Sequence, residues 1–139
     1  MKETDAFVVY VVDDDDSVRH SLTRLLRTSG FRVQAYGSAQ DFLNTVTPAS
    51  SGCVLLDVTM PQMSGLRAQV KLKEMGIPLP VIAVSARETY QVRETMQALG
   101  ARFFLHKPVD EQALLDAIAW VTQPATGADV SGQAGGGRR

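Results

Sequence analysis

The sequence has little cysteine, no excess of either charge and no long apolar run, and each shortage excludes a class of protein. The single cysteine, Cys53, cannot form a disulfide within the chain and is expected to be a small core residue. Fourteen basic and fifteen acidic side chains give a net charge of −1, without the basic excess of nucleic-acid-binding domains. No apolar run approaches the roughly 20 residues that cross a bilayer, and the acidic N-terminus is unlike a signal peptide. We therefore expect a soluble, cytoplasmic protein that binds neither nucleic acid nor membrane through these residues.

Glycine is unevenly distributed, and its distribution predicts where the folded domain ends. Five of the 11 glycines follow Pro124, in a segment whose only bulky apolar residue is Val130. Such a segment cannot bury enough apolar surface to offset the entropy lost on ordering. The sequence predicts one folded domain over residues 1–123 and a flexible tail or truncated linker over residues 124–139.

The remaining chain alternates between short apolar runs and stretches with helical periodicity. Apolar runs begin near residues 7, 31, 53, 80 and 101, and each is followed by apolar residues at helical spacing. Ser38 and Asp110 are predicted to cap the second and fifth helices. Strands this apolar are typical of a parallel sheet covered on both faces, because parallel strands need crossovers. The predicted fold is an α/β doubly wound sandwich with five parallel strands and helices on both faces.

The carboxyl ends of the predicted strands carry charged and hydroxyl side chains. In a doubly wound sheet, ligands bind at that edge. The first strand ends in Asp13–Asp16, the third in Asp57, the fourth in Ser85, and Lys107 follows the fifth. The last two aspartates of the first group suit the start of a helix, where they complement its dipole. Asp13 and Asp14 suit a solvated turn less well, because they directly follow buried strand residues. Asp57 closes an apolar strand, where an unpaired carboxylate is costly.

Three acids at one edge favour a divalent cation. Asp13, Asp14 and Asp57 would repel one another when ionised, and Mg²⁺ removes that cost because it prefers carboxylate and water oxygens. Lys107 and the hydroxyl of Ser85 would add a cation and a hydrogen-bond donor, a set that matches a phosphoryl group. The residues favour a phosphoryl or Mg²⁺ site, and they leave a structural network of ion pairs as the alternative.

The chain resembles the receiver domain of bacterial two-component response regulators. The matching motifs are Asp13-Asp14 after an apolar strand, Leu56–Gly65 around Asp57, Ser85-Ala86 and Lys107-Pro108. The resemblance covers about residues 7–123, and the opening of the first helix is similar to that of FixJ-like receivers. It implies a flavodoxin-like fold and a domain that takes a phosphoryl group from a sensor histidine kinase or phosphotransfer protein. It also implies Mg²⁺-dependent self-phosphorylation and self-dephosphorylation instead of enzymatic turnover.

The resemblance assigns a role to each residue of the site. It implies that Asp57 is the phosphoacceptor and that Asp57 and Asp14 bind Mg²⁺ directly, with Mn²⁺ as a possible substitute. Asp13 would bind the ion through water, and Thr59 would offer its backbone carbonyl. Lys107 would pair with a phosphoryl oxygen.

The resemblance further implies a switch. Ser85 would turn its hydroxyl onto the phosphoryl group, and Phe104 would fill the vacated space and reshape the face of helix four, strand five and helix five. Thr59 and Arg87 occupy positions that tune the lifetime of the phosphoryl group, while His106 receives no role. The residues expected to be partly exposed on this face are Val92, Met96, Phe103, Leu115 and Trp120. We expect a partner or a phosphorylation-dependent homodimer to bind there.

A phosphatase similar to the haloacid dehalogenases is the competing hypothesis. That class has a nucleophilic aspartate after its first strand, and Asp13 and Asp15 together could form its motif. It also needs an acidic pair after a later strand, where this chain has Val84–Arg87. The sequence therefore disfavours the phosphatase. It leaves open whether the receiver is free-standing or belongs to a regulator with a DNA-binding domain.

Overall fold

The computed structural model describes residues 7–60, 63–86 and 90–122. Strands and helices alternate along these residues: β1 (Val8–Val12), α1 (Asp16–Thr28), β2 (Arg32–Tyr36), α2 (Ala39–Leu43), β3 (Gly52–Asp57), α3 (Gly65–Glu74), β4 (Val81–Ser85), α4 (Tyr90–Ala98), β5 (Ala101–His106) and α5 (Glu111–Val121). The segment 124–139, for which a flexible tail is predicted, lies outside the described residues. So does Arg87.

The five strands form one parallel sheet in the order β2-β1-β3-β4-β5. The strand order changes direction at β1, which lies between β2 and β3, so the crossovers leave helices on both faces. This is the doubly wound topology that the sequence predicts, and it confirms the fold class. In register, Val12 lies beside Leu56, and Asp57 lies beside Val84. The chain that leaves β1 therefore emerges next to the end of β3.

The core consists of two apolar layers, one on each face of the sheet. In β1, Val9 and Val11 pack with α1 and α5, while Tyr10 and Val12 pack with α2 and α3. This alternation follows from the twofold periodicity of a strand. Cys53 is fully buried in the first layer, and burial raises the pKa of its thiol to about 12. Its predicted role as a core residue is confirmed.

Polar side chains cap the N-termini of helices that pack on the sheet. Asp15 accepts a hydrogen bond from the amide of Val18 at 3.1 Å, as expected for the acidic start of α1. The predicted caps Ser38 and Asp110 begin α2 and α5, and Asp110 accepts from the amide of Ala113 at 2.8 Å. The capping residues therefore determine the residue at which each of these helices begins.

Gly65 lets α3 begin directly against the end of β3. Its amide donates to the carbonyl of Val58 at 2.8 Å. A Cβ at this position would lie 2.5 Å from the carbonyl oxygen of Asp57, closer than any real Cβ contact. Only glycine permits this approach, so Gly65 helps determine where the backbone around Asp57 runs.

Candidate functional site

Three acidic side chains meet at the carboxyl edge of the sheet. Asp13 directly follows β1, Asp14 comes next, and Asp57 is the last residue of β3. One carboxylate oxygen from each residue lies within 4.8 Å of the others. The meeting follows from topology, because β1 and β3 are parallel neighbours whose carboxyl ends lie side by side. The predicted convergence of the three acids is therefore observed.

The three acids differ in burial. Asp13 and Asp57 are only 2% and 4% exposed, whereas Asp14 is exposed. Asp14 also follows a buried strand, but its side chain faces solvent. The chain turns immediately after β1, where the amide of Asp15 donates to Oδ1 of Asp13 at 2.9 Å. The turn leaves Asp14 at the solvent-facing side of the site, where a bound cation could keep water ligands.

Among the described residues, Lys107 contributes a cation to the site. Its Nζ lies 2.9 Å from Oδ2 of Asp13 and 3.5 Å from Oδ2 of Asp57. Its backbone amide donates to the carbonyl of Ser85 at 2.9 Å, which joins the ends of β4 and β5. The Lys107–Pro108 peptide bond is cis. Lys107 thus bridges two acids that belong to two other segments of the chain.

The site holds more negative charge than its lysine neutralises. Burial, and then the charge of Asp13, raise the pKa of Asp57 from 3.8 to about 7, against the opposing influence of Lys107 and of a 3.3 Å hydrogen bond from the Thr59 amide. Burial lowers the pKa of Lys107, but its bonds and charge pairing with Asp13 and Asp57 outweigh that effect and raise it. Lys107 therefore stays protonated at neutral pH. A hard divalent cation fits this donor set, because it would relieve the repulsion among three carboxylates.

Known proteins share these features. The family model of the response regulator receiver domain matches residues 9–119. The response regulator protein TmoT of Ectopseudomonas mendocina is 43% identical over 111 residues, which cover 80% of this chain and 50% of that protein. The transcriptional regulatory protein FixJ of Azorhizobium caulinodans is 39% identical over 110 residues, or 79% of this chain and 52% of FixJ.

The chain belongs to the response regulator receiver domain family. The crystal structure of FixJ-N supports this at 30% identity and a TM-score of 0.76, covering 86% of this chain and 93% of FixJ-N. The resemblance stated from the sequence is confirmed, together with the flavodoxin-like fold and a place in two-component signalling. The family that matches is not the haloacid dehalogenase class of the competing hypothesis. This receiver domain spans about half the length of the curated relatives that it matches.

In this receiver domain, the two residues expected to form the switch lie on neighbouring strands. Ser85 is 1% exposed and ends β4, between the strand of Asp57 and the strand that leads to Lys107. Phe104 is partly buried against Val58, Ala83 and Met96, on the α4 side of the sheet. The guanidinium carbon of Arg93 lies 5.4 Å from the centroid of the Phe104 ring, which is within the range of a cation–π contact.

The face formed by α4, β5 and α5 differs in part from the expectation. Met96 is fully buried against Val58, so its predicted partial exposure was wrong. Leu115 is partly exposed, as expected, and it lies beside Phe7 and Phe31. The error at Met96 arises because helical spacing indicates which residues are apolar, but not which neighbour each side of a helix contacts.

Phe103 and Trp120 fit the expected face better. Phe103 is partly exposed, and the Trp120 side chain, at 54% exposure, meets its ring edge-to-face with a centroid distance of 6.2 Å. Val92 is also partly exposed. Within the described part of the chain, no helix is long and apolar enough to cross a membrane.

Sequence reasoning assigned no role to two residues that shape the site. Arg19 donates from Nη1 to the backbone carbonyl of Asp13 at 2.8 Å, and Gly65 allows the close approach of α3 to the backbone of Asp57. A basic residue one turn into a helix that begins with acids was an available signal for Arg19. A glycine that follows a strand-terminal aspartate and a short loop was the corresponding signal for Gly65.

Proposed function

We propose that Asp57 accepts a phosphoryl group from a phosphohistidine of a sensor histidine kinase or phosphotransfer protein. The observation that carries this proposal is the position of Asp57, buried at the end of β3, with Asp13, Asp14 and Lys107 around its carboxylate. An oxygen of Asp57 attacks phosphorus, and the P–N bond of the donor breaks with its electrons returning to the imidazole ring. A P–O bond to Asp57 replaces it. The protein contributes by positioning and by neutralising charge.

The residues that would hold Mg²⁺ are the carboxylates of Asp14 and Asp57 and the backbone carbonyl of Thr59, with Asp13 acting through water. Mn²⁺ would fit the same oxygen ligands. When bound, the ion supplies positive charge to the phosphoryl oxygens and favours the ionised form of Asp57. Ionisation matters because the carboxylate is the nucleophile, and the metal-free pKa near 7 leaves it partly protonated at neutral pH.

Lys107 changes its partners during the reaction. Before transfer it pairs with both Asp13 and Asp57. After transfer its ammonium remains paired with Asp13 and contacts a phosphoryl oxygen in place of the Asp57 carboxylate. Ser85, at the end of the intervening strand, donates its hydroxyl to another phosphoryl oxygen. These charge-assisted bonds stabilise the phosphorylated state.

Phe104 carries the change from the site to the face of α4, β5 and α5. It lacks the hydroxyl of a tyrosine, so no hydrogen bond from its ring favours the inward or the outward position. Its contact with Arg93 favours its present position. Movement of Ser85 toward the phosphoryl group would vacate space that Phe104 then fills. We infer that this change creates a surface for a partner or for a phosphorylation-dependent homodimer.

The phosphoryl group is lost again by attack of water on phosphorus. Thr59 is exposed beside the acceptor and is suited to influence the approach of that water. Arg87, the second residue expected to tune this lifetime, lies outside the described residues. We propose that the domain acts in the cytoplasm through protein partners, that it does not itself bind nucleic acid or membrane, and that it does not turn over general phosphate esters.

The acceptor is tested by intact-mass spectrometry after treatment with a small phosphodonor, with and without Mg²⁺. The unaltered chain should gain one phosphoryl group only when Mg²⁺ is present. Asp57→Asn should gain none, while the control Asp116→Asn, which changes an exposed acid on α5, should react normally. Full phosphorylation of Asp57→Asn would place the acceptor elsewhere.

The output is tested by sedimentation and by the fluorescence of Trp120, the only tryptophan. Phosphorylation should change the association state or the emission of Trp120, and Asp57→Asn should show neither change. NMR shifts should extend from the Asp57 site into α4 and β5. Shifts confined to the site would indicate a phosphoryl store without a switch.

A further inference from the structure

Arg19 contacts the loop that carries two of the proposed metal ligands. From the second turn of α1, its Nη1 donates to the carbonyl of Asp13 at 2.8 Å, and its Nη2 pairs with Oδ1 of Asp16. The side chain is only 20% exposed although it is charged. The planar guanidinium therefore spans the turn from the end of β1 to the start of α1, which a single-point donor cannot do.

The loop after β2 holds the same guanidinium from another side. A Cβ at Gly37 would lie 3.3 Å from Nη1 of Arg19, which is tighter than most real Cβ contacts, and 3.6 Å from the guanidinium carbon, which is an ordinary contact. The amide of Asp13 donates to the carbonyl of Tyr36 at 3.1 Å, so the two loops are also joined through the backbone. Arg19 thus lies between the loop of the acids and the loop before α2.

These contacts fix Asp13 at several atoms. Its amide and carbonyl are bound by Tyr36 and Arg19, and its two carboxylate oxygens by Asp15 and Lys107. Asp14 follows directly and is exposed, so its direction depends on the backbone that precedes it. The bond from Arg19 to the Asp13 carbonyl is part of what sets the peptide unit from which Asp14 projects.

We propose that Arg19 is a positioning residue for the divalent cation of this domain. It acts through the backbone of Asp13, so that the carboxylates of Asp14 and Asp57 converge on one ion, and it touches neither the ion nor the phosphoryl group. This inference rests on the function proposed above, because it needs Mg²⁺ to bind at the three acids.

The direction in which a substitution changes the Mg²⁺ affinity distinguishes a positioning role of Arg19 from an effect of its charge alone. Arg19 is a cation next to a cation site, so by Coulomb's law its removal should strengthen Mg²⁺ binding. Loss of positioning should weaken it, and removal of a residue that orients metal ligands typically reduces affinity about 10- to 100-fold. The two explanations therefore predict opposite changes for Arg19→Gln.

The experiment is calorimetric titration of the full chain with Mg²⁺, repeated with Mn²⁺. We expect Arg19→Gln to bind about tenfold more weakly. Arg19→Lys keeps the charge and should also bind more weakly, because one ammonium cannot span the turn. Gly37→Ala alters no charge and should give a smaller loss by displacing the guanidinium. Arg24→Gln, an exposed arginine on the same helix, is the matched control and should bind slightly more strongly or without change.

A second measurement needs no metal. Amide hydrogen exchange at Asp15 and Val18, whose bonds to Asp13 and Asp15 hold the turn, should be faster in Arg19→Gln and in Arg19→Lys, and unchanged in Arg24→Gln. Tighter Mg²⁺ binding by Arg19→Gln, with unaltered binding by Arg19→Lys, would overturn the inference in favour of charge. The inference would also be overturned if Arg19→Gln and Arg19→Lys both left the Mg²⁺ affinity and the amide exchange unchanged. Absence of Mg²⁺ binding by the unaltered chain would instead overturn the proposed function itself.

Discussion

The interior of the sheet and its carboxyl edge are built from the same strands but have opposite effects on stability. Along β1 and β3, buried valine and leucine side chains stabilise the fold by leaving water. One residue further, Asp13 and Asp57 are nearly as buried, yet their carboxylates lose hydration and repel each other. Leu56 and Asp57 are adjacent in sequence, and burial favours folding at the first and opposes it at the second.

The difference shows how a binding site can be placed without disturbing the core. The strand interior supplies enough apolar burial that its last residues need not be stabilising. Lys107 offsets part of the cost at the edge, and a divalent cation would offset more. The site is therefore destabilised when metal-free, and ligand binding recovers stability by mass action.

Truncation of a side chain in the interior of the sheet should have the largest effect on stability. Leu56→Ala removes a fully buried side chain from the layer under α2 and α3, and it should lower the free energy of unfolding by about 2–5 kcal/mol. Urea denaturation with and without Mg²⁺ measures this loss. The half-exposed Val70, truncated to alanine, is the control and should change stability little. A loss at Leu56 no larger than at Val70 would contradict the description of the interior.

A smaller effect should come from the pH dependence of the metal-free protein. Asp57 has a folded pKa of about 7, above its unfolded value. Its protonation therefore stabilises the fold fully below about pH 4, and that stabilisation is lost as the pH rises through 7. The free energy of unfolding should therefore increase by about 2–3 kcal/mol as the pH is lowered from 8 to 5. Asp57→Asn should be more stable than the unaltered chain at pH 8 and nearly independent of pH across this interval. Equal slopes for the two proteins in urea denaturation would contradict this assignment.

Removal of the lysine should have a somewhat smaller effect. Lys107→Met leaves Asp13 and Asp57 without their cation, and at pH 8 it should cost about 2 kcal/mol of metal-free stability, below the range for a fully buried pair because Lys107 is partly exposed. The loss should shrink at pH 5, where Asp57 is protonated. Thermal unfolding at the two pH values measures the difference. In a chain that already carries Asp57→Asn, Lys107→Met should lower the metal-free stability by less than it does alone.

Substitution of Asp14, the exposed acid of the site, should have the smallest effect on metal-free stability. Asp14→Asn removes one repelling charge from the solvent side of the site, so the metal-free melting temperature should rise by less than it does in Asp57→Asn. The stabilisation by Mg²⁺ should disappear. Melting curves over a series of Mg²⁺ concentrations test both points. If Asp14→Asn gained as much from Mg²⁺ as the unaltered chain, Asp14 would not be a metal ligand.

Much of this molecule could be predicted from local pattern. The five strands, the caps Ser38 and Asp110 and the parallel sheet follow from apolar periodicity and capping chemistry, which depend on a few neighbouring residues. The meeting of Asp13 and Asp57 could also be predicted, because the carboxyl ends of parallel strands share an edge. The roles of the site residues came from resemblance to a family and are still to be tested.

Other features were decided only by tertiary structure. The exposure of Asp14 depends on a turn held by Asp13 and Arg19, and the burial of Met96 depends on which surface α4 presents to Val58. The sequence by itself determined the order of the elements and the edge at which the chemistry gathers, because those follow from local periodicity and strand direction. Only the tertiary structure decided which acid is buried, which is exposed and which arginine holds them, because distant segments must pack before those contacts exist.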